Sequence, residues 1–407
     1  MKFEAPPGTH DVLEKDWPHW QRILGEAERL CRLYGYRPIA TPVFEDTELF
    51  ARTSGSGSDV VQKEMYTFTD RGDRSLTLKP EGTAPICRAY IEHGLHREPQ
   101  PQKLYTLVPM YRYARPQRGR YREHWHLSVE AIGSDDPAVD AELIQLYDTL
   151  LKRLGVSDYT LLLNSIGDRE CRPAYLERLT QWLDEHDGEL DEEARQKRTT
   201  SPLRVFDVKN ERVQKALAAA PKIGESLCDA CAEHFAAARN VLDAYGVRYE
   251  LAPTLVRGLD YYTRTTWEFV GPEAGAQSTI SGGGRYDYLI EEIGGPSTPG
   301  VGFGAGIERL HFAIESQPEE PEEIEVFFAL DSAERRADIL PVLARLRSEG
   351  RACETDYAGR SLKGQLTHAQ RLGAKAVVIV GQEGVTVRRS GQDDVKVSSV
   401  DEAVATL

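Results

Sequence analysis

The 407-residue chain is longer than one hydrophobic core usually serves, so its length predicts two or three domains. Its 65 acidic against 50 basic side chains give a formal charge of -15; the average surface repels phosphates, and any nucleic-acid contact has to be local. No run of about 18 uncharged apolar residues occurs and the opening "MKFEAPPGTHDVLEKDW" lacks a leader's apolar stretch, so neither membrane nor secretion is expected, and six scattered cysteines fit a reducing, cytoplasmic compartment.

In chain order, "SLTLKPEGTAPICRAYIEHG" (75–94) reads as a strand, a Pro-Glu-Gly-Thr corner and a helix beginning near Ala84. The corner exposes Glu81 and Thr83, a carboxylate beside a hydroxyl, which suits either a substrate ammonium or the dipole of the helix that follows. Next, "VPMYRYARPQRGRYREHWHLSVEAIG" (108–133) reads as two strands joined by a basic loop holding Arg112, Arg115, Arg118, Arg120 and Arg122. In the second strand Trp125, Leu127, Val129 and Ala131 alternate with His124, His126, Ser128 and Glu130, so the period of two puts the four polar side chains on one face. Guanidinium forks in an otherwise acidic chain point to a triphosphate or a polynucleotide backbone.

From about 165 to 245 the sequence turns helical and charged, which reads as an insertion at residues 165–245 between two halves of a mixed core, 1–164 and 246–314. Short, turn-bounded strands in those halves favour antiparallel pairing. Within the insertion Cys228, Cys231 and His234 form Cys-x-x-Cys-x-x-His, with Cys171 upstream, a spacing that invites a zinc reading. On spacing alone the expectation is small buried thiols on helix faces and no metal.

Beyond the insertion, "LVRGLDYYTRTTWEF" (255–269) sets one arginine and two tyrosines around Gly-Leu-Asp ahead of a strand. "STISGGGRYDYLIEEIGGPSTPGVGFGAGIERL" (278–310) then leads, through alternating glycines that allow close backbone approach, into a helix with Glu308 and Arg309. Neither standard glycine-rich phosphate motif is present, so a nucleotide needs another cradle. "ESQPEEPEEIE" reads as a linker over 315–324, and "EVFFAL", "ADILPVLARLRSEG", "LKGQLTHAQRLG", "AKAVVIVG" and "VTVRR" predict a small α/β domain over 325–407.

Taken in order, "ATPVFEDTELF", "MYRYARPQRGRYREHWHLSVE" and "GVGFGAGIERL" resemble the three signature motifs of class II aminoacyl-tRNA synthetases, and "LVRGLDYYTRT" with "SGGGRYDYLIEEIGG" resembles two peptides of the histidyl-tRNA synthetase family. The resemblance covers nearly the whole chain. It implies an α+β catalytic domain with a six-stranded antiparallel sheet flanked by helices, a helical insertion and a C-terminal α/β anticodon-binding domain, in a homodimer with Pro42 near its interface. The implied reaction is ATP-dependent activation of L-histidine, with Mg2+ on the triphosphate, and transfer to tRNA(His).

By the same resemblance Arg257 and Arg112 are catalytic cations at the α-phosphate, and Gly258 lets the backbone turn beneath the substrate. Glu81, Gly82, Thr83, His126, Glu130, Tyr261 and Tyr262 bind histidine, Glu130 with a phenol reading the imidazole nitrogens. Arg112, Arg120, His124 and Arg309 bind ATP. The chain departs from the family pattern at "REHWH": His124 replaces a phenylalanine that stacks on adenine, and His126 replaces a glutamine. An ordinary imidazole at 126 is expected to charge near pH 6.5 and to weaken histidine binding on acidification. Lys79 stands for an arginine, keeping charge without the fork. Some relatives resemble a four-cysteine set in the insertion, and this chain has Asp168 and Val208 where further cysteines would stand. The rival reading is the non-catalytic regulatory paralogue of histidine biosynthesis, which typically lacks the signature residues and the anticodon domain.

Overall fold

The computed structural model describes residues 2–54, 60–272, 279–318 and 324–407, in two compact units, Met1–Gln317 and Pro318–Leu407. Of the predicted linker, residues 319–323 lie outside the described residues.

Six strands form the centre of the first unit: β1 (Gln102–Tyr111), β2 (Glu123–Ile132), β3 (Thr160–Ser165), β4 (Thr263–Val270), β5 (Thr279–Arg285) and β6 (Gly300–Gly306). They run antiparallel in the order β1-β2-β6-β5-β4-β3. The sheet is wider than the six strands expected, because Arg37–Pro38 pairs parallel with β1 and Glu250–Leu251 parallel with β3, extending it to eight. Two residues apiece are too short to leave a period-two signature in sequence.

One face of this sheet is apolar. Leu127, Val129 and Ala131 of β2, Val301, Phe303 and Ala305 of β6, and Trp267 and Phe269 of β4 pack beneath helices α1 (Trp17–Leu33) and α2 (Pro137–Arg153). Helix α1 turns Trp20, Ile23, Ala27, Leu30 and Cys31 inward, a helical stripe. Helix α2 starts sharply because Pro137 needs no amide partner and the Asp136 carboxylate accepts a hydrogen bond from the Ala138 amide at 2.9 Å.

The residues on the other face alternate with these. On β6 they are Gly300, Gly302, Gly304 and Gly306, so "GVGFGAG" codes large apolar groups on the core face and no side chain on the opposite one. Between β3 and Glu250 lie four helices, including α3 (Arg172–Glu185) and α4 (Asp229–Ala244). Tyr175, Leu179 and Leu183 of α3 share a core with Ile86 and Tyr90, and Leu242 of α4 joins the core beneath the sheet. Apolar faces of these helices are thus buried in the same unit as the sheet, whereas their sequence shows only an amphipathic pattern and no partner.

The second unit has a five-stranded mixed sheet in which Val326–Leu330 pairs parallel with both Cys353–Thr355 and Ala376–Gly381, followed by antiparallel Gly384–Arg389 and Val395–Val397. Val326, Phe328 and Leu330 alternate with Phe327 and Ala329, and the two sets enter separate apolar clusters on the two faces. An all-apolar central strand covered on both faces is what the run "VFFAL" predicts.

Candidate active site

The glycine-rich face is the floor of a cavity of about 210 Å³. Across four strands the register aligns Ser128, Gly304, Gly282 and Glu268 in one row, and Glu130, Gly302, Gly284 and Thr266 in the next. Side chains from neighbouring positions lie over the glycines in the middle of each row. A Cβ at Gly304 would meet the His126 ring at 2.4 Å, one at Gly282 the Arg257 guanidinium at 2.3 Å, and one at Gly284 the Tyr262 ring at 2.8 Å. These glycines are needed for close approach. Gly258, by contrast, has open space around it and no left-handed backbone, so the turn expected there places no demand for glycine.

Arg257 is held by an ion pair with Glu268, whose second oxygen accepts from the Thr279 hydroxyl at 3.3 Å. Three more guanidinium groups reach the same cavity, from Arg112, Arg120 and Arg309. Arg112 is anchored by Nε donating to the Pro80 carbonyl at 2.7 Å, Arg309 by Nε donating to the Gly119 carbonyl at 3.2 Å, and Arg120 by an ion pair with Glu64. The basic loop therefore delivers two of its five arginines. Arg118 pairs with Glu315 over the Phe312 ring, Arg122 stacks 4.1 Å from the Tyr113 ring, and Arg115 is exposed.

The Pro-Glu-Gly-Thr corner, whose Pro80 carbonyl anchors Arg112, lines the same cavity. Glu81 is buried and accepts the Thr83 and Ala84 amides at 2.7 and 2.9 Å, so it caps the helix Thr83–Glu92 as well as lining the cavity. The helix-dipole reading of Glu81 is met by these two amides, and its place on the cavity leaves it available to a substrate ammonium. Gly82 has no room for a side chain, since a Cβ would meet the Ser128 hydroxyl oxygen at 2.3 Å. Tyr261 and Tyr262 close this side, ring centroids 4.7 Å apart, and burial raises both phenols, which stay protonated donors.

Glu130 departs from expectation. It does not line the cavity but is fully buried behind it, accepting the Thr83 hydroxyl at 2.8 Å on one oxygen and the Tyr286 hydroxyl at 2.6 Å on the other. Period two gave its face correctly. The phenol that claims its second oxygen comes from a segment 156 residues away, which no spacing rule reveals. Burial pushes its carboxyl up to about 8.

His124 and His126 line the cavity with rings 5.8 Å apart, edge to face. The His126 Nδ1 lies 3.0 Å from the Ser128 Oγ. Desolvation, then the charges of Arg112 and Arg309, lower the His126 imidazole to about 3, and desolvation with Arg112 pushes His124 well below its ordinary value. A value lowered in this way favours the neutral ring over pH 6–8, against the expectation that His126 charges near neutrality. The ratio of histidine KM between wild type and His126→Gln should therefore be flat from about pH 8 to about pH 6. A variant advantage that grows as pH falls would show that the ring does charge there.

Glu308, Ser128, Glu268 and Tyr286 complete the arrangement without having been singled out as site residues. Glu308 accepts the Trp125 amide at 2.8 Å and its other oxygen has no hydrogen-bond partner among the described residues; burial pushes its carboxyl up to about 7. Its position beside Arg309 in the third motif was the available signal. Chemically, the cavity offers four arginine cations, the Glu81 carboxyl beside two phenols, two imidazoles lowered from their ordinary values and a floor of glycines. That set suits a polyanion lying across the arginines and a small amphoteric molecule against Glu81 and the tyrosines.

Comparison with known proteins is consistent across sequence and structure. The family described as histidyl-tRNA synthetase matches residues 8–310. The histidine–tRNA ligase of Caldanaerobacter subterraneus is 46% identical over 386 residues, covering 94% of this chain and 93% of the relative, and that of Moorella thermoacetica is 46% identical over 411 residues, covering 98% and 97%. The crystal structure of apo S. aureus histidyl-tRNA synthetase superposes with a TM-score of 0.82 at 34% identity, covering 100% of this chain and 99% of that one. With the family match spanning the sheet, its glycine floor and the helix carrying Arg309, the chain belongs to the histidyl-tRNA synthetase family.

Proposed function

We propose that the chain is a histidine–tRNA ligase, which joins L-histidine to ATP as histidyl-adenylate and passes the histidyl group to the 3′ end of tRNA(His). The observation that carries this reading is the convergence of Arg112, Arg120, Arg257 and Arg309 on the cavity that also holds Glu81, Tyr261 and Tyr262. In the first step the histidine carboxylate attacks the α-phosphorus of ATP, which enters as its Mg2+ complex, and pyrophosphate leaves as the bond to the β-phosphate breaks. The nucleophile is already an anion and needs no base. The barrier lies in bringing two anions together, so cations fixed beforehand lower it.

In this assignment Arg257 and Arg112 neutralise the carboxylate and the α-phosphate, Arg120 meets the outer phosphates, and Arg309 with His124 sandwiches adenine. Glu81, Gly82 and Thr83 receive the ammonium, and Tyr261, Tyr262 and neutral His126 border the imidazole. Glu130 acts through Thr83, whose hydroxyl it orients. We further propose that residues 325–407 grip the anticodon, that the enzyme is cytoplasmic, and that it works as a homodimer. Exposed Val43 and Phe44, which follow Pro42, and exposed Phe68, whose ring centroid lies 6.1 Å from that of Phe44, support a dimer surface there. No helix among the described residues is long and apolar enough to cross a membrane.

Charging of tRNA(His) with radiolabelled histidine tests the ligase reading. Tight histidine binding without histidyl-tRNA or adenylate would favour the regulatory paralogue instead. A chain ended after Gln317 should still form adenylate but charge tRNA at least about tenfold less efficiently, a loss of about 1.4 kcal/mol or more of binding. Equal charging with and without the second unit would contradict its role.

A further inference from the structure

Outside the cavity, one cluster of ligating groups stands out. Asp168, Cys171, Cys228 and Cys231 each bring one donor atom to within 4.8 Å of all the others, and Asp168, Cys171 and Cys231 are buried. The two members of each pair are three residues apart, Asp168 to Cys171 and Cys228 to Cys231, and each pair sits at a helix start: Cys171 just before α3, Cys228 just before α4 and Cys231 in its first turn. His234, which the spacing had suggested as a third ligand, instead faces Asp140 at 3.9 Å. From these four residues we propose that the chain holds one zinc ion in a closed site of three thiolates and one carboxylate.

The distances support a tetrahedron. With Zn–S bonds of about 2.3 Å and Zn–O of about 2.0–2.2 Å, tetrahedral angles put sulfurs about 3.8 Å apart and a sulfur about 3.6 Å from the oxygen. The Sγ atoms of Cys171 and Cys231 are 3.9 Å apart, and the Asp168 Oδ1 lies 3.5 Å from the Cys171 Sγ and 4.0 Å from the Cys228 Sγ. The spacing is far from that of a disulfide, whose sulfurs lie about 2.05 Å apart.

Three features of the surroundings are built around the cluster. The Asp168 amide points at the Cys171 sulfur, 3.4 Å away, a hydrogen bond suited to a thiolate. Gly167 is left-handed, with φ of 64°, and a Cβ on it would meet that same sulfur at 2.6 Å. Arg264, a non-glycine residue in the left-handed region with φ of 48°, donates its amide to the Gly167 carbonyl at 2.7 Å and brings its guanidinium 3.5 Å from the free Asp168 oxygen. Three thiolates and a carboxylate overbalance a divalent ion, and Arg264 faces the excess negative charge. Three thiol protons leave to solvent as the ion binds, with no change of oxidation state.

Such an ion ties the start of α3 to the start of α4. Arg172, the first residue of α3, donates from Nη2 to the Tyr262 carbonyl at 2.7 Å, so the clamp also steadies one wall of the cavity. In sequence Asp168 counted as a missing fourth thiol, since a carboxylate breaks the familiar four-thiol pattern.

Elemental mass spectrometry of the full chain, purified without chelators from zinc-supplemented medium, should find about one zinc per chain. Exchange with Co2+ should give thiolate-to-cobalt absorption in the near ultraviolet together with the strong visible bands of a tetrahedral site. Cys228→Ser and Cys231→Ser should each lose the metal, while Asp168→Cys should keep it and move the cobalt spectrum towards that of four thiolates. Wild-type protein holding less than about a tenth of an equivalent, or intact mass showing Cys171 and Cys231 oxidised to a disulfide, overturns the proposal. These readings do not depend on the ligase activity.

Discussion

Replacing Arg257 by alanine is expected to lower the rate of histidyl-adenylate formation by about two to three orders of magnitude, the effect of removing one preorganised donor from a developing oxyanion. The side chain is fixed before substrate arrives, by its ion pair with Glu268 and by its path over Gly282. Little reorganisation is then needed at the moment of reaction. The loss should fall mainly on kcat in single-turnover measurements, with ATP binding changed less, because Arg112, Arg120 and Arg309 remain on the cavity. A near-normal rate would remove Arg257 from the reacting atoms.

Gly282→Ala should lower the same rate by about a hundredfold, although it adds one methyl and removes no charge. That methyl carbon would stand 2.3, 2.4 and 2.6 Å from three atoms of the Arg257 guanidinium, where contact needs about 3.5 Å, so the group must shift by about 1 Å. Displacement on that scale costs about two decades when orientation carries catalysis. Gly282 has ordinary extended backbone, so alanine introduces no backbone strain, and the melting temperature should stay within a few degrees of wild type. Pairing the substitution with Arg257→Ala checks the route: the double variant should be no slower than Arg257→Ala alone. Additive losses would mean that Gly282 acts through something other than Arg257.

The face that lines the cavity was legible because it is made of short periods. Alternation in "HWHLSVEAI" separated Leu127 and Val129, which pack in the core, from His124 and His126, which line the cavity, and the alternating glycines of "GVGFGAG" announced close approach. What approaches them was hidden, since the partners are set by register between distant strands. Gly302 lies opposite Glu130, Gly304 opposite Ser128, and Gly282 opposite Glu268.

Charge states were also beyond the sequence. An imidazole at 126 has its ordinary value in a string of letters. Desolvation and Arg112 give it another in the fold. Similarly, five neighbouring arginines look equivalent until Arg118 and Arg122 are seen to turn to Glu315 and Tyr113. In the helical stretch, the spacing suggested His234 beside the thiols, whereas the starts of α3 and α4 bring Asp168 there instead.

Histidine-dependent exchange of labelled pyrophosphate into ATP tests the account most directly, because it requires histidine, ATP and the reacting cations in one cavity and requires neither tRNA nor the second unit. The account predicts robust exchange with L-histidine, none without it, and exchange reduced by about two to three orders of magnitude in Arg257→Ala. Wild-type protein that binds histidine yet exchanges no pyrophosphate would contradict it and leave this cavity as a binding site alone.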